Sequence, residues 1–247
     1  MVNAITLHEV TKSFVLPSGE QLRVLDRISF EVGKGSFHSI LGPSGCGKST
    51  ILNLIAGLDQ HTSGKISVEG TPRIGFVFQH PRLLNWRTVR ENVELPLESS
   101  ESNASERRRI AEKYLKLVGL AGFEEYYPLK LSGGMQQRAS IARALAIEPD
   151  ILLMDEPFSG LDEWTARRMR EELTRIWQET GKTIVFVTHS IAEAVFLSQQ
   201  ILIVSPKPAT VFRNVPIACP YPRDYTDTAL FEIETSLRRD FLAMNCE

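Results

Sequence analysis

Apolar residues follow two patterns along the chain. Near the N-terminus they alternate with polar residues at a period of two, which predicts short strands of an antiparallel sheet at Ile5–Leu7, Leu22–Val24 and Ile28–Val32. Further on they form short runs, some of them continuous enough to be typical of strands buried on both faces. These further strands are predicted at 37–41, 66–70, 74–78, 151–156, 183–189 and 201–204.

Helix-forming segments lie between these strands. They are predicted at 50–56, 106–118, 135–147, 163–180 and 190–197, followed by a last helix with Leu230, Ile233, Leu237 and Phe241 on one face. Gly57, Gly119 and Gly181 are the expected ends of three of them. Two stretches are predicted to lack regular structure, the loop 80–98 and the proline-rich, extended tail that follows Ser205.

Composition limits the class of protein. With 247 residues, 43% hydrophobic and 23% charged, the chain is large enough for one α/β domain or for a core with an inserted subdomain. A net charge of −2 disfavours binding to nucleic acid through bulk electrostatics. The N-terminus does not resemble a signal peptide, and no apolar run approaches the roughly 20 residues of a membrane span. If the protein acts at a membrane, we expect another chain to span it.

The cysteines indicate a reducing compartment. Cys46, Cys219 and Cys246 are few and widely spaced, which disfavours a disulfide framework. Cys46 is either a reactive thiol or a small buried residue that fills space.

The strongest chemical signal is a G-x-x-x-x-G-K-S pattern between a predicted strand and a predicted helix. It comprises Gly42, Pro43, Ser44, Gly45, Cys46, Gly47, Lys48 and Ser49, followed by Thr50. Such glycines let backbone N–H groups surround one anion, and the N-terminus of the helix adds a partial positive charge. Lys48 is suited to the β- and γ-phosphates, and the Ser49 hydroxyl can bind Mg²⁺. We therefore predict a nucleotide-binding loop rather than a glycine-rich turn.

Polar residues at the ends of other strands are further candidates. Asp155 and Glu156 end an apolar strand, where Asp155 suits Mg²⁺ and Glu156 can polarise an attacking water. Gln79 and His189 also follow strands, and each is either a site residue or an ordinary loop residue. The carboxyl ends of strands in an open α/β sheet are where ligands bind.

A second anion site is possible before the helix at 135–147. Ser132 is a suitable N-cap, and Gly133 and Gly134 expose backbone N–H groups at the helix start. An ordinary helix cap is the alternative. Phe14, near the N-terminus, either stacks on a nucleotide base or packs in the sheet.

Together these motifs resemble the ATP-binding cassette (ABC) ATPases over about residues 3 to 205. The loop at 42–50 is similar to Walker A, 151–157 to Walker B, 131–138 to the signature motif and 159–162 to the D-loop. The resemblance identifies Gln79 with the Q-loop, His189 with the switch histidine and Phe14 with the aromatic residue that stacks on the base.

The resemblance implies a P-loop NTPase fold of the α/β class, with a RecA-like core, an antiparallel β-subdomain and an inserted helical signature subdomain. It places the β-subdomain and the first half of the core at 1–84 and the helical subdomain at 85–147. The second half of the core follows at 148–205, and the C-terminal tail at 206–247.

The resemblance also implies a mechanism with ATP and Mg²⁺. Two cassettes, identical or paralogous, would hold ATP between the phosphate loop of one chain and Ser132, Gly133 and Gly134 of the other. Glu156 would be the general base. Lys48, Gln79 and His189 would contact the γ-phosphate, its metal ion or the attacking water, and Ser49, Gln79 and Asp155 would be the metal ligands. Hydrolysis would open the dimer.

The implied partners are membrane proteins. Leu84 and Trp86 are large apolar residues in a predicted loop, so they either pack beneath the loop or face a partner. The segment 80–93 is similar to the loop that docks a permease, so the resemblance implies that both residues face that partner at the cytoplasmic face of the inner membrane. A substrate-binding protein would act indirectly, and no nucleic-acid partner is expected. The tracts 84–89 and 204–208 resemble importers of nitrate, sulfonate, taurine and bicarbonate, although Asn85 stands where proline is usual. A soluble cassette that remodels protein or nucleic-acid complexes, and an exporter cassette, are the alternatives.

Overall fold

The computed structural model describes residues 2–244, so Cys246 and the last residues of the tail lie outside the described part. The strands are β1 (Asn3–Val15), β2 (Gln21–Gly33), β3 (Phe37–Leu41), β4 (Ser63–Val68), β5 (Ile74–Val77), β6 (Ile151–Asp155), β7 (Thr183–Thr188), β8 (Gln200–Val204) and β9 (Val211–Pro216). The helices are α1 (Lys48–Ile55), α2 (Val89–Glu94), α3 (Ala104–Leu117), α4 (Gly133–Ala146), α5 (Glu163–Thr180), α6 (Ile191–Leu197) and α7 (Thr228–Met244). None of the helices between residues 2 and 244 has both the length and the apolar character needed to cross a bilayer.

Two compact units can be distinguished by their internal contacts. The first comprises Met1–Thr71 and Thr183–Glu247, and the second comprises Pro72–Lys182. Nothing in this division tests the predicted boundaries at 84, 147 and 205, which stay a prediction.

The first unit contains an antiparallel sheet with the strand order β2-β1-β4. Sequence alternation predicted three short strands here, whereas β1 and β2 are each 13 residues long. Their pairing shifts register near Glu9 and Arg27, which adopt left-handed backbone angles with φ of 47° and 49°. A bulge breaks the period of two while the strand continues, so alternation alone divides one long strand into pieces.

The first unit also contains strands in the order β7-β3-β8-β9. The strand β3 is fully buried and pairs in parallel with β7 and β8. The tail was predicted to be extended but not to form a strand, yet β9 pairs antiparallel with β8. The side chains of β9 are mostly exposed, so no apolar pattern marked it. Helix α6 packs against β3 and α7 packs against α6.

The second unit places β5 and β6 side by side in parallel, with α4 against α2, α3 and β5. Helix α2 lies inside the stretch that was predicted to be a loop. It begins with a capping box in which Thr88 accepts from the Glu91 backbone N–H and the Glu91 carboxylate accepts from the Thr88 N–H. Thr-x-x-Glu is a readable signal of a helix start, and sequence reasoning missed it.

Candidate functional site

The phosphate loop joins the end of β3 to the start of α1, which begins at Lys48 rather than at Thr50 as predicted. Two glycines shape it, Gly45 with φ of 76° and Gly47 with φ of 121°. A Cβ at Gly47 would lie 2.9 Å from side-chain atoms of both Leu25 and Val24. Gly47 is therefore required both by its backbone angle and by the close approach of β2.

The loop contains one buried positive charge, on Lys48. The Lys48 side chain is 4% exposed, and its ammonium donates to the carbonyl oxygens of Gly42 and Pro43, each at 2.9 Å. The N-cap of α1 is Gly47, which has no side chain to satisfy the first N–H groups of the helix. A buried ammonium beside uncapped helix N–H groups is an arrangement that holds an anion.

Cys46 lies in the same loop and is 2% exposed. Burial raises the pKa of its thiol, although the Lys48 charge acts in the opposite direction. A raised pKa keeps the thiol protonated and weakly nucleophilic at neutral pH. The structure therefore favours the space-filling interpretation over the reactive one.

Phe14 and His189 are both accessible at the ends of strands in the first unit. Phe14 is 39% exposed, and the Lys12 ammonium lies 4.5 Å from the centre of its ring. His189 follows β7 and is exposed, and the next residue, Ser190, is the N-cap of α6. Neither residue is buried in packing that would prevent contact with a ligand.

In the second unit, the strand β6 ends in the two predicted carboxylates. The Asp155 side chain is 7% exposed, whereas Glu156 is half-buried. Glu156 has a φ of 43°, a left-handed conformation that costs about 1–3 kcal/mol in a residue with a side chain. The Ser159 backbone N–H and hydroxyl both donate to the Glu156 carbonyl oxygen, at 3.2 and 3.0 Å. The D-loop therefore helps to hold Glu156 in this conformation.

The structure brings Gln79 and Glu156 together. The Gln79 amide donates to the Glu156 carboxylate at 3.3 Å. Sequence reasoning missed Gln137, whose buried amide donates to the carbonyl oxygen of Phe78 at 3.2 Å. Helix α4 thus anchors the residue that precedes Gln79, and no local sequence signal marks this long-range contact.

The start of α4 has the predicted cap. The Ser132 hydroxyl accepts from the Met135 N–H at 3.3 Å. A Cβ at Gly133 would meet no atom within 4 Å, while one at Gly134 would lie 3.2 Å from Leu161 and 3.4 Å from the carbonyl oxygen of Gly160. The D-loop therefore packs on one glycine of the signature motif and leaves the other open.

The loop before α2 is organised by a residue that sequence reasoning also missed. The Asn92 side chain is fully buried, accepts from the Leu84 N–H at 2.7 Å and donates to the carbonyl oxygens of Leu84, Arg87 and Thr88. Trp86 projects from this loop with 74% of its surface exposed. The loop therefore presents Trp86 outward from a fixed backbone, which excludes a core role for this side chain.

Comparison with known proteins gives consistent results. A family model described as ABC transporter matches residues 25–159, more than half of the chain. The uncharacterised ABC transporter ATP-binding protein MJ0412 of Methanocaldococcus jannaschii is 44% identical over 92% of this chain and 87% of its own length. The aliphatic sulfonates import ATP-binding protein SsuB of a Bacillus cereus strain is 40% identical over 96% of this chain and 95% of its own length.

A solved structure shows the same architecture. It is the dimeric, post-hydrolysis state of the ATP-binding cassette MJ0796 bound to ADP and Pi, with a TM-score of 0.81 and 36% identity over 87% of this chain and 100% of that one. The predicted P-loop cassette fold is thereby confirmed. The chain belongs to the ABC transporter family and is an ATP-binding ATPase of the cassette type.

Proposed function

We propose that this ATPase drives an importer for a small organosulfur compound or anion of the nitrate, sulfonate or taurine type, through a separate permease. The observation that carries the proposal is the match to aliphatic sulfonate import proteins of two Bacillus species. They are 40% and 39% identical to this chain over 96% of its length. The match covers 96% of this chain, so it extends beyond the catalytic motifs into the tail.

In this proposal the phosphate loop binds the ATP phosphates. Its backbone N–H groups surround them and Lys48 neutralises the β- and γ-phosphates, while Phe14 stacks on the adenine base. The buried ammonium and the uncapped start of α1 support this role. Ser44 and Gly45 are exposed at the tip of the loop, where a phosphate has access to their N–H groups.

The residues predicted to hold Mg²⁺ fit that ion chemically. Ser49, Gln79 and Asp155 offer a hydroxyl, an amide oxygen and a carboxylate, which are the hard oxygen ligands that Mg²⁺ prefers. Asp155 is almost fully buried at the end of β6, where a carboxylate is best stabilised by a cation. Bound Mg²⁺ would neutralise charge on the phosphates.

Glu156 is the proposed general base. It accepts a proton from the water that attacks the γ-phosphorus, as the bond from that phosphorus to the bridging oxygen breaks. Gln79 and His189 orient the water and the γ-phosphate. The 3.3 Å hydrogen bond from Gln79 to Glu156 supports a shared role for these two residues.

A second cassette completes the proposed site. Ser132, Gly133 and Gly134 of that cassette, whether an identical copy or a paralogue, bind the γ-phosphate from the opposite side. The first two of these residues are exposed in the single chain, which supports their availability. The related cassette MJ0796 has been solved as a dimer bound to ADP and Pi.

The proposed location is the cytoplasmic face of the inner membrane, where the loop at 80–93 docks on the permease. Leu84 and Trp86 are its apolar contacts. The buried Asn92 supports this role because it fixes the loop before the partner arrives, which lowers the entropic cost of docking.

The importer proposal is tested by purifying the tagged chain from detergent extracts of its native cells and reconstituting what co-elutes. We expect a multi-span membrane protein, and ATPase activity that rises when a substrate-binding protein loaded with an alkanesulfonate is added. If the ATPase activity rose with a nitrate-loaded binding protein instead, nitrate would replace the alkanesulfonate as the proposed substrate. Co-elution of soluble proteins or nucleic acid alone would contradict the importer and favour a remodelling ATPase.

Replacing Trp86 by Ala should uncouple hydrolysis from transport. Because Trp86 is 74% exposed, folding and basal ATPase activity should stay within about twofold of the wild type, whereas transport by the reconstituted complex should fall by about tenfold or more. Phe231→Ala removes another exposed aromatic ring, on α7 and 70% exposed, and should leave transport unchanged. Equal transport by the Trp86→Ala and wild-type complexes would contradict the docking role.

A further inference from the structure

The C-terminal tail contains a buried arginine that the catalytic motifs do not use. Arg223 is 8% exposed, and its guanidinium lies over the Tyr221 ring, 4.0 Å from the centre. Three of its hydrogen bonds stay within its own segment of the tail. Two go to the carbonyl oxygen of Cys219, at 2.9 and 3.2 Å, and one goes to the carbonyl oxygen of Ile217, at 3.5 Å. The rest of its donors reach another element.

That element is the C-terminal end of α6. One Arg223 nitrogen, Nη1, donates to the carbonyl oxygens of Val195, Phe196 and Ser198 at 2.7, 3.1 and 2.8 Å. The Tyr221 hydroxyl donates to the carbonyl oxygen of Leu197 at 2.7 Å. The last carbonyl groups of a helix have no partner within the helix. Here two side chains of the tail satisfy four consecutive ones, from residue 195 to residue 198.

The electrostatics agree with this geometry. A cation at the C-terminus of a helix is stabilised by the helix dipole. Burial raises the pKa of Tyr221 to about 12, so its hydroxyl stays a hydrogen-bond donor at neutral pH. A second contact reinforces the attachment, since Phe196 of α6 stacks on Tyr225 of the tail with 4.1 Å between ring centres.

The other end of α6 begins directly after His189. Ser190 caps the helix by accepting from the Glu193 N–H at 3.3 Å, and the Thr188 hydroxyl donates to the Glu193 carboxylate at 2.6 Å. The Ser190 N–H in turn donates to the Thr188 hydroxyl at 3.0 Å. Both neighbours of His189 in the chain are thus tied to the first turn of α6, which links the position of His189 to the position of that turn.

Helix α6 has only seven residues, too few to be stable without external contacts. Its position therefore depends on its packing against β3, β7 and α7 and on the hydrogen bonds at its two ends. We propose that Arg223 and Tyr221 are positioning residues for ATP hydrolysis, because they fix the C-terminal end of α6 and so hold His189 where it acts. The inference rests on the proposed role of His189.

The test measures steady-state ATPase activity of the full chain with Arg223→Met, Arg223→Lys and Tyr221→Phe, each with His189 intact or replaced by Ala. With His189 intact, Arg223→Met should lower kcat by about tenfold and Tyr221→Phe by about threefold, with KM for ATP changed by less than about twofold. Arg223→Lys should be intermediate, since one ammonium cannot reach all the carbonyl oxygens. For variants that are too slow for steady-state assays, the rate of ATP hydrolysis is measured in single-turnover assays.

In the His189→Ala background the same tail variants should lower kcat by less than about twofold, because the residue they position is gone. Arg213→Met is the matched control: this arginine is also in the tail but pairs with Asp240 at 2.6 Å, and its loss should leave kcat unchanged in both backgrounds. If Arg223→Met does not fold, Tyr221→Phe, which removes one hydroxyl, decides the outcome.

Equal fold losses in both backgrounds would overturn the inference, because the tail would then act independently of His189. Folded tail variants with wild-type kcat would overturn it as well. Either result leaves the proposed function standing. Unchanged turnover in His189→Ala alone would instead remove the proposed role of His189, and the inference with it.

Discussion

Replacing Glu156 by Gln should lower ATP turnover by about a thousandfold and leave ATP binding intact. A general base contributes about 10²–10⁴ to the rate, and glutamine keeps the size of the side chain but cannot take up the proton. The substitution should also preserve the left-handed backbone, because Ser159 holds the Glu156 carbonyl oxygen and not its carboxylate. Turnover is measured by phosphate release and binding by titration with a fluorescent ATP analogue.

The same variant should accumulate as a dimer when ATP is present. If hydrolysis is what opens the pair of cassettes, a protein that binds but does not hydrolyse ATP stays closed, and size-exclusion chromatography with and without ATP will show the change. Glu171→Gln is the control, since it makes the same chemical change at an exposed residue of α5 paired with Arg167. Turnover of Glu156→Gln close to that of the wild type would exclude Glu156 as the base.

The elements that sequence reasoning located correctly carry strong local signals. The buried strands β3, β6 and β7 are continuous apolar runs, and α5 combines an amphipathic pattern with an Asp162 cap and a left-handed Gly181 at its end. Gly45 and Gly47 of the phosphate loop likewise have a local signature, because their φ angles of 76° and 121° favour glycine. For such segments the local sequence predicts the secondary structure, because few other structures fit the same pattern.

The features that sequence reasoning missed depend on contacts between residues that are far apart in the chain. Gln137 is separated from Phe78 by 59 positions, and Arg223 from Val195 by 28, so nothing near either residue shows what it binds. The strand β9 is another example, since its existence depends on the free edge of β8 rather than on its own exposed side chains. Buried polar side chains need partners, but the sequence does not say which.

The same distinction applies to the candidate site. Each motif could be recognised by itself, since glycines, a lysine or paired carboxylates at a given spacing have a local chemical meaning. The sequence did not reveal that Gln79 reaches Glu156, or that Glu156 has a strained backbone supported by Ser159. These contacts orient Glu156, the proposed base, and only the folded chain shows them.

Lys48 is the residue whose loss should affect ATP binding most. Its ammonium is buried and donates to two carbonyl oxygens of its own loop, so a positive charge is held within the loop before any phosphate binds. Hydrogen bonds to charged groups contribute about 1.5–3 kcal/mol each. Because the proposed contacts are to two phosphates, we expect their loss to weaken binding well beyond the effect of one neutral hydrogen bond.

Lys48→Ala should therefore raise the Kd for ATP by about a hundredfold, measured by titration with a fluorescent analogue and by calorimetry. The substitution also removes the bonds to Gly42 and Pro43, so thermal unfolding without nucleotide must be compared, and a small shift there would separate lost phosphate contacts from a damaged loop. Lys34→Ala, at an exposed turn before β3, is the matched control and should bind ATP normally. An unchanged Kd in a folded Lys48→Ala protein would contradict the phosphate-binding role, because a buried ammonium that contacted two phosphates could not be removed without weakening the complex.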